Sequence, residues 1–376
     1  MKLMTPGPTQ VRENVRMARA KVTGNPDLEA EFYDFYRDTC QILSRLLHTN
    51  NESYILGGEG ILGLEAACAS LTEPGDRVLV LDNGIFGKGF ADFVTMYGGE
   101  AVLFTTDYHC PMDPHALQAF LERDSNFKYA TLVHCDTPSG VMNDIHTLCP
   151  MLKKYGILTV VDSVAGMFGE YINVDQACID ILCGGSQKAL SAPAGLTMLT
   201  VSEDAKKVIN ERQVPVHAFY ANIKNFFTYY EDRWFPYTMP ISDIAGLRQA
   251  LENVEAEPGI IDRHARIASA VCEALTAAGL RLYLKDGYSN NVTVFRVPEG
   301  LTDRDILDMM KRDYGILVAG CFDVLAGKVL RIGHMGENAN VPDVAETLDA
   351  LGRTLVCLGV DLRADMKSVF LNSLRG

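Results

Sequence analysis

The chain has 376 residues, 48% apolar and 22% charged, with 34 basic against 48 acidic side chains and a formal net charge of −14. That length and composition describe a globular protein with one large and one smaller domain. They exclude the basic footprint of a nucleic-acid binder, and no apolar run reaches membrane-spanning length.

Residues 1–20 read as an arm punctuated by Pro and Gly, followed by a short helix. The start, Met1 to Pro8, lacks the apolar stretch of a secretory leader, and the last residues match no peroxisomal tripeptide. The ten cysteines form no Cys-x-x-Cys pair and read as reduced thiols, so a cytoplasmic protein is expected. Glu29 to Leu47 carries Phe32, Phe35, Tyr36, Cys40, Leu43 and Leu47 at helical spacing. Strands then alternate with helices. The strands are Tyr54–Leu56, Val78–Leu81, Ala101–Phe104, Ala130–Val133, Leu158–Val161, Ile179–Cys183 and Leu196–Val201. Several are continuous apolar runs, which predicts a mostly parallel seven-stranded sheet covered by helices on both faces, a three-layer α/β/α arrangement. Residues 203–240 are rich in aromatics and show no clean strand. A helical stretch runs from Ile241 to about Ala278, broken near Pro258-Gly259. The strands Val292–Val297, Ile316–Ala319 and Val329–Ile332 follow. The division is an arm at 1–20, a large domain at 21–245 and a smaller α/β domain at 246–376.

Two motifs carry chemistry. Val160-Val161-Asp162 ends an apolar strand in an acid, and Gly185-Ser186-Gln187-Lys188 places a lysine among small polar residues after the next one. Pyridoxal 5'-phosphate (PLP) chemistry needs this pair. A lysine forms a Schiff base with the cofactor aldehyde, and a carboxylate keeps the pyridine nitrogen protonated so that the ring draws in electrons. The second motif, Gly58-Glu59-Gly60-Ile61-Leu62-Gly63, fits G-x-G-x-x-G between a strand and a helix, with Asp82 19 residues beyond Gly63. That is the dinucleotide fingerprint, and alone it would suggest an NAD-linked oxidoreductase. A helix N-terminus behind glycines welcomes any phosphate, however, and the Asp162/Lys188 pair decides for PLP. His109, Cys110, Asp113 and His115 have no metal-ligand spacing and flank prolines, so no metal is expected.

Further runs fall in a recognisable order: Thr5-Pro6-Gly7-Pro8-Thr9, Gly58 to Ala67, Asn83-Gly84-Ile85-Phe86-Gly87, and His134-Cys135-Asp136-Thr137-Pro138-Ser139-Gly140. Val161 to Ala165, Gly185 to Leu190, and Arg331-Ile332-Gly333-His334-Met335-Gly336 complete the series. Together they resemble, over nearly the whole chain, the class V (fold type I) PLP-dependent aminotransferases, and within these the alanine–glyoxylate and serine–pyruvate group. The resemblance implies a ping-pong transfer of an amino group from a small amino acid to glyoxylate or pyruvate. Lys188 would carry the cofactor and shuttle the proton, and Asp162 would bind the ring nitrogen. Phe86 would stack on the ring, and Thr137 would bond its 3'-oxygen. Gln187 and the amides of Gly60 and Ile61, in the loop Gly58-Glu59-Gly60-Ile61, would hold the phosphate. Arg331 would grip the substrate carboxylate through two parallel hydrogen bonds. Thr238 would reach the neighbouring subunit's phosphate, which implies a homodimer with shared active sites.

Departures from the family pattern bear on the substrate. Glu59 and Ile61 stand where small hydroxyl residues are usual, and a carboxylate beside a phosphate dianion is repulsive. Glu59 is therefore expected to turn away from the phosphate or to pair with a cation. Phe235 stands where a tyrosine commonly helps to bind the partner's phosphate. Cys321, ten residues before Arg331 in a loop, leaves open a cysteine desulfurase on the same fold. Transamination between 2-aminoethylphosphonate and pyruvate, or ureidoglycine and glyoxylate, are the nearer alternatives.

Overall fold

Seven apolar runs pair into one sheet in the computed structural model, which describes residues 1–21 and 24–375. They are β1 (Glu52–Gly57), β2 (Arg77–Asp82), β3 (Glu100–Thr105), β4 (Tyr129–Val133), β5 (Leu158–Asp162), β6 (Ile181–Gly185) and β7 (Leu196–Val201). Their order in space is β1-β7-β6-β5-β4-β2-β3. β7 runs antiparallel to both neighbours, and the other pairs are parallel. Every residue of β4 to β7 is buried, so these strands are largely apolar, with buried Thr131, Thr159, Thr197 and Thr200, and show no alternation with exposed polar residues. β3, at the edge, alternates instead. The run expected to begin at Ile179 joins the sheet only at Ile181. Asp180 is held outside the ladder, accepting hydrogen bonds from the Thr159 amide at 2.9 Å and the Ser202 hydroxyl at 2.8 Å and pairing with Lys153 at 2.7 Å.

A second core gathers around the antiparallel strands Val292–Arg296 and Val329–Gly333 and the helix Val341–Cys357. The helix Ile241–Glu255 buries Ile244, Leu247 and Leu251 in the larger core and packs on the helix Glu13–Lys21. The change of core falls inside the next helix, Ile260–Ala277, where Ile260 belongs to the large core and Ile267 to the small one. Only the start of the arm belongs to the small core, where Lys2–Leu3 pairs in parallel with Ile316–Leu317 and Met4 is fully buried; Val15, further along it, lies in the large core. No helix among the described residues is long and apolar enough to cross a membrane.

Candidate active site

The carboxyl ends of parallel strands, where loops open into a crevice, are where an open α/β sheet binds ligands. Asp162 is the last residue of β5, and Lys188 follows the end of β6. Because β5 and β6 are neighbours in register (Asp162 opposite Cys183), the two side chains reach one cavity of about 170 Å³. Phe86, Cys135, Thr137 and Val164 line it with them. Asp162 Oδ1 accepts from the Val164 amide at 2.9 Å, and no described donor meets its second oxygen. Burial pushes its pKa up to about 7, with Asp136 adding to the rise and Lys188 opposing it. Lys188 Nζ donates to the Pro6 carbonyl at 2.8 Å. Burial first, and then the Arg331 charge, lowers the lysine pKa. This favours a neutral amine, the form in which an amine is a nucleophile.

The loop carrying Thr137 is braced from beneath. Asp136, fully buried, accepts the Ser139 hydroxyl at 2.6 Å, the Ser139 amide at 3.1 Å and the Phe86 amide at 3.2 Å. One carboxylate thereby fixes both Thr137 and Phe86. At Gly84 an added Cβ would lie 2.7 Å from the Asp136 carboxyl carbon, so glycine is what lets that carboxylate in. Cβ atoms at Gly60 and at Gly185 would likewise meet Val164, at 2.7 Å and 2.9 Å. The glycines thus bring helix and strand close enough to form the cavity floor.

Arg331 lies on the strand Val329–Gly333 and is 8% exposed. It borders a second cavity of about 410 Å³ that shares Phe86, Thr137 and Lys188 with the first. Its Nε donates to the Gly320 carbonyl at 2.7 Å and its Nη1 to the Thr137 carbonyl at 3.3 Å. Among the described residues no carboxylate pairs with it, and Phe322 lies 5.8 Å from the guanidinium carbon. A buried guanidinium held by carbonyls and left without an acid suits an incoming carboxylate.

The phosphate end of the first cavity differs from the family pattern. Glu59 caps the helix Gly60–Leu71: its Oε1 accepts from the Ile61 amide at 3.0 Å, and its Oε2 accepts from Gln187 Nε2 at 2.9 Å. Gln187 Oε1 is buried without a partner. Glu59 makes no ion pair among the described residues, so the cation expected as one alternative is not present. Gly58, at φ +152°, turns the chain into this loop.

Two sequence-predicted residues lie away from the cavity. Phe235 is buried in an aromatic cluster of its own chain, 5.1 Å from Tyr33 and 4.9 Å from Tyr36 between ring centroids. Thr238 is exposed and donates to Asp27 at 2.7 Å. The acid of the dinucleotide fingerprint is already engaged: Asp82, 2% exposed, accepts from Tyr108 at 2.6 Å and Thr105 at 2.9 Å. It leaves nothing for a ribose, which removes the physical basis of the NAD alternative. No metal-holding cluster occurs among the described residues; Asp113 caps a helix at the His115 amide, and His109 sits on Asp107. Cys321 is half-buried with its thiol pKa raised by burial, the opposite of a poised thiolate.

The partner of Lys188 was missed at the sequence level. Gly7, at φ +98°, would put a Cβ 2.4 Å from the lysine's Cδ, so the arm closes over Lys188 only because that position has no side chain. The Thr-Pro-Gly-Pro run announces a turn but does not say where it docks.

The site fits the ring half of a pyridoxal cofactor. One oxygen of Asp162 is free toward the cavity, an amine stands beside it, and an aromatic wall is present. A family model described as aminotransferase class-V matches residues 5–322. The pyridoxamine–pyruvate transaminase of Mesorhizobium japonicum is 31% identical, over 89% of this chain and 86% of its own. The alanine–glyoxylate aminotransferase of Callithrix jacchus is 32% identical, over 94% and 87%. The crystal structure of ureidoglycine–glyoxylate aminotransferase from Bacillus subtilis superposes with a TM-score of 0.95 at 27% identity, covering 100% of this chain and 98% of that one.

Proposed function

We propose, from the premise that this chain belongs to the class V aminotransferase family and is a PLP-dependent transaminase, that it moves the amino group of a small amino acid of the alanine or serine type to glyoxylate or pyruvate. The bound cofactor supplies an aldehyde that takes up the amino group and a ring that accepts electrons from the substrate α-carbon. Lys188 holds the resting cofactor and moves the proton to and from that α-carbon; its lowered pKa suits it to act as a base. Asp162 keeps the ring nitrogen protonated through its free oxygen. Arg331 holds the carboxylate of donor and acceptor in turn, which makes the two half-reactions mirror images. Phe86 and Thr137 line the same cavity and would hold the ring there, Phe86 by stacking and Thr137 by a hydrogen bond.

The observation that carries this reading is the meeting of Lys188, Asp162 and an acid-free Arg331 on two adjoining cavities. The relatives named for alanine, pyridoxamine and ureidoglycine share glyoxylate or pyruvate as acceptor, which supports the acceptor class over any one donor. A 2-aminoethylphosphonate donor finds less support, because among the described residues Lys188 and Arg331 are the only cationic side chains of this chain lining the two cavities. We further place the enzyme in the cytoplasm as a homodimer. Exposed Phe219, Tyr220 and Trp234 support such an interface, Tyr220 being stacked on Tyr237, the neighbour of Thr238 in sequence. The test is the visible spectrum of the purified protein with L-alanine or L-serine, followed by glyoxylate or pyruvate. A band bleached by one donor and restored by one acceptor is expected. A Lys188→Ala protein with full turnover would refute the assignment.

A further inference from the structure

We propose that the Glu59 carboxylate takes the place of a cofactor phosphate at the head of helix Gly60–Leu71, so that this cavity accepts unphosphorylated pyridoxal and pyridoxamine in competition with PLP and uses pyridoxamine as an amino donor. The proposal rests on amino-group transfer at this cavity and names a substrate class for it.

A phosphate at this position would draw on two kinds of donor, the free amides of the helix N-terminus and the side-chain amide of Gln187. One carboxylate already holds both. The Ile61 N–H donates to Glu59 Oε1 at 3.0 Å, and Gln187 Nε2 donates to Oε2 at 2.9 Å. The positive end of the helix dipole favours that negative charge as it would a phosphate's. A phosphate entering here must therefore displace Glu59 from two hydrogen bonds and then stay beside it, like charge against like charge. Among the described residues of this chain no cation offsets the repulsion. Glu59 makes no ion pair among the described residues, and the only cation lining this cavity, Lys188, is the one that serves the aldehyde. Gln187 Oε1, buried and unpartnered, adds a second acceptor rather than a donor. The ring end carries no such conflict, since Asp162, Phe86, Thr137 and Lys188 ask nothing of a phosphate.

The chemistry closes without further reactants. Pyridoxamine and pyruvate give pyridoxal and alanine. The aminomethyl carbon of the vitamer loses two electrons and becomes the aldehyde, the pyruvate carbonyl carbon gains them, and the amino group passes from one to the other. Lys188 carries the proton between the two carbons, and Arg331 holds the carboxylate on the pyruvate side only.

The test is equilibrium binding to the full-length protein after its cofactor has been stripped. Pyridoxal and PLP are titrated separately and followed by the absorbance of the bound vitamer, alongside alanine formation from pyridoxamine and pyruvate. Wild-type protein is expected to bind pyridoxal at least as tightly as PLP. Glu59→Ser, which removes the charge and leaves a hydroxyl, should shift the preference toward PLP by about 100-fold, the scale of one uncompensated like-charge contact. Glu59→Gln, which keeps the length and the cap acceptor, should shift it the same way by a smaller factor. A wild-type preference for PLP of about 100-fold or more, or a ratio that neither substitution moves, would overturn the proposal while leaving amino-group transfer intact. Folded wild-type protein that binds neither vitamer would overturn the transfer reading itself, and this proposal with it.

Discussion

Replacing Arg331 by Gln removes the positive charge from the substrate end of the site and keeps one amide donor. Two of the guanidinium's N–H groups are occupied by the Gly320 and Thr137 carbonyls, which fix its plane and leave the outer edge for a carboxylate. A charge-assisted hydrogen bond contributes about 1.5–3 kcal/mol. Losing one such bond and weakening the other costs about 3 kcal/mol, which lowers kcat/KM for L-alanine by a factor on the order of 100. Arg331→Lys keeps the charge without the planar fork and should lose about tenfold. The assay is the rate at which saturating and subsaturating L-alanine bleaches the cofactor band, with isopropylamine as a carboxylate-free donor of similar size. The substitution should spare the isopropylamine rate, slow as that is. Circular dichroism checks that the carbonyls left unpaired have not unfolded the loop. If Arg331→Gln kept its L-alanine kcat/KM within about threefold, or lost as much with isopropylamine, the guanidinium would be holding the loop and not the substrate.

Asp162→Asn should abolish most turnover, and it should also stabilise the cofactor-free protein at alkaline pH. Burial raises the carboxyl pKa to about 7 in the folded state, above the ~4 of an unfolded chain, so the folded state binds the extra proton and wild-type stability falls as pH rises from about 4 through 7. The amide removes that slope, with a gain of about 2–4 kcal/mol at pH 8 and little near pH 4. Urea midpoints of the two proteins at both pH values measure it, and equal midpoints at pH 8 would contradict the sign. Gly7→Ala meets the lysine side chain and a backbone at φ +98°. It should cost about 1–3 kcal/mol of stability in thermal melts and reduce turnover more than tenfold by displacing Lys188, whereas undiminished turnover would separate the arm from the site.

The Asp162/Lys188 pair was legible because each ends an apolar run, and a residue just beyond a buried parallel strand can point only into the crevice. Arg331 was legible only through the resemblance, since it stands in the middle of an antiparallel strand of the second sheet. Contacts between segments far apart in the chain were not. Nothing local says that Glu59 meets Gln187, or that the arm's carbonyl at Pro6 receives Lys188. Lys2–Leu3 is too short to show any period, so its pairing with Ile316–Leu317 had no signature. Phe235 reads as one more aromatic in a crowded stretch. Its place is set by Tyr33 and Tyr36, which arrive from a helix about 200 residues earlier in the chain. The glycine loop shows the opposite case, a motif legible in full and misleading alone, since its distal acid is spent on Tyr108 and Thr105.

The docking of the arm sets an order of events during biosynthesis. Met4 donates its amide to Leu317 and accepts from Gly333, so residues 2–4 have no seat until those two strands have been made, whereas Thr9 can already bond Gln187 and Ser191. At ribosomal rates of about 5–20 residues per second, that wait is on the order of 15–60 s. The seven-stranded sheet is complete well before then, with the arm held beside its lysine only through Thr9. The pocket is therefore finished by the closing of a long loop between the two ends of the chain, a slow kind of contact to form. Nascent chains stalled before residue 316 should carry a folded large core whose arm is tied down at Thr9 but not at Lys2–Leu3, and so covers Lys188 less firmly.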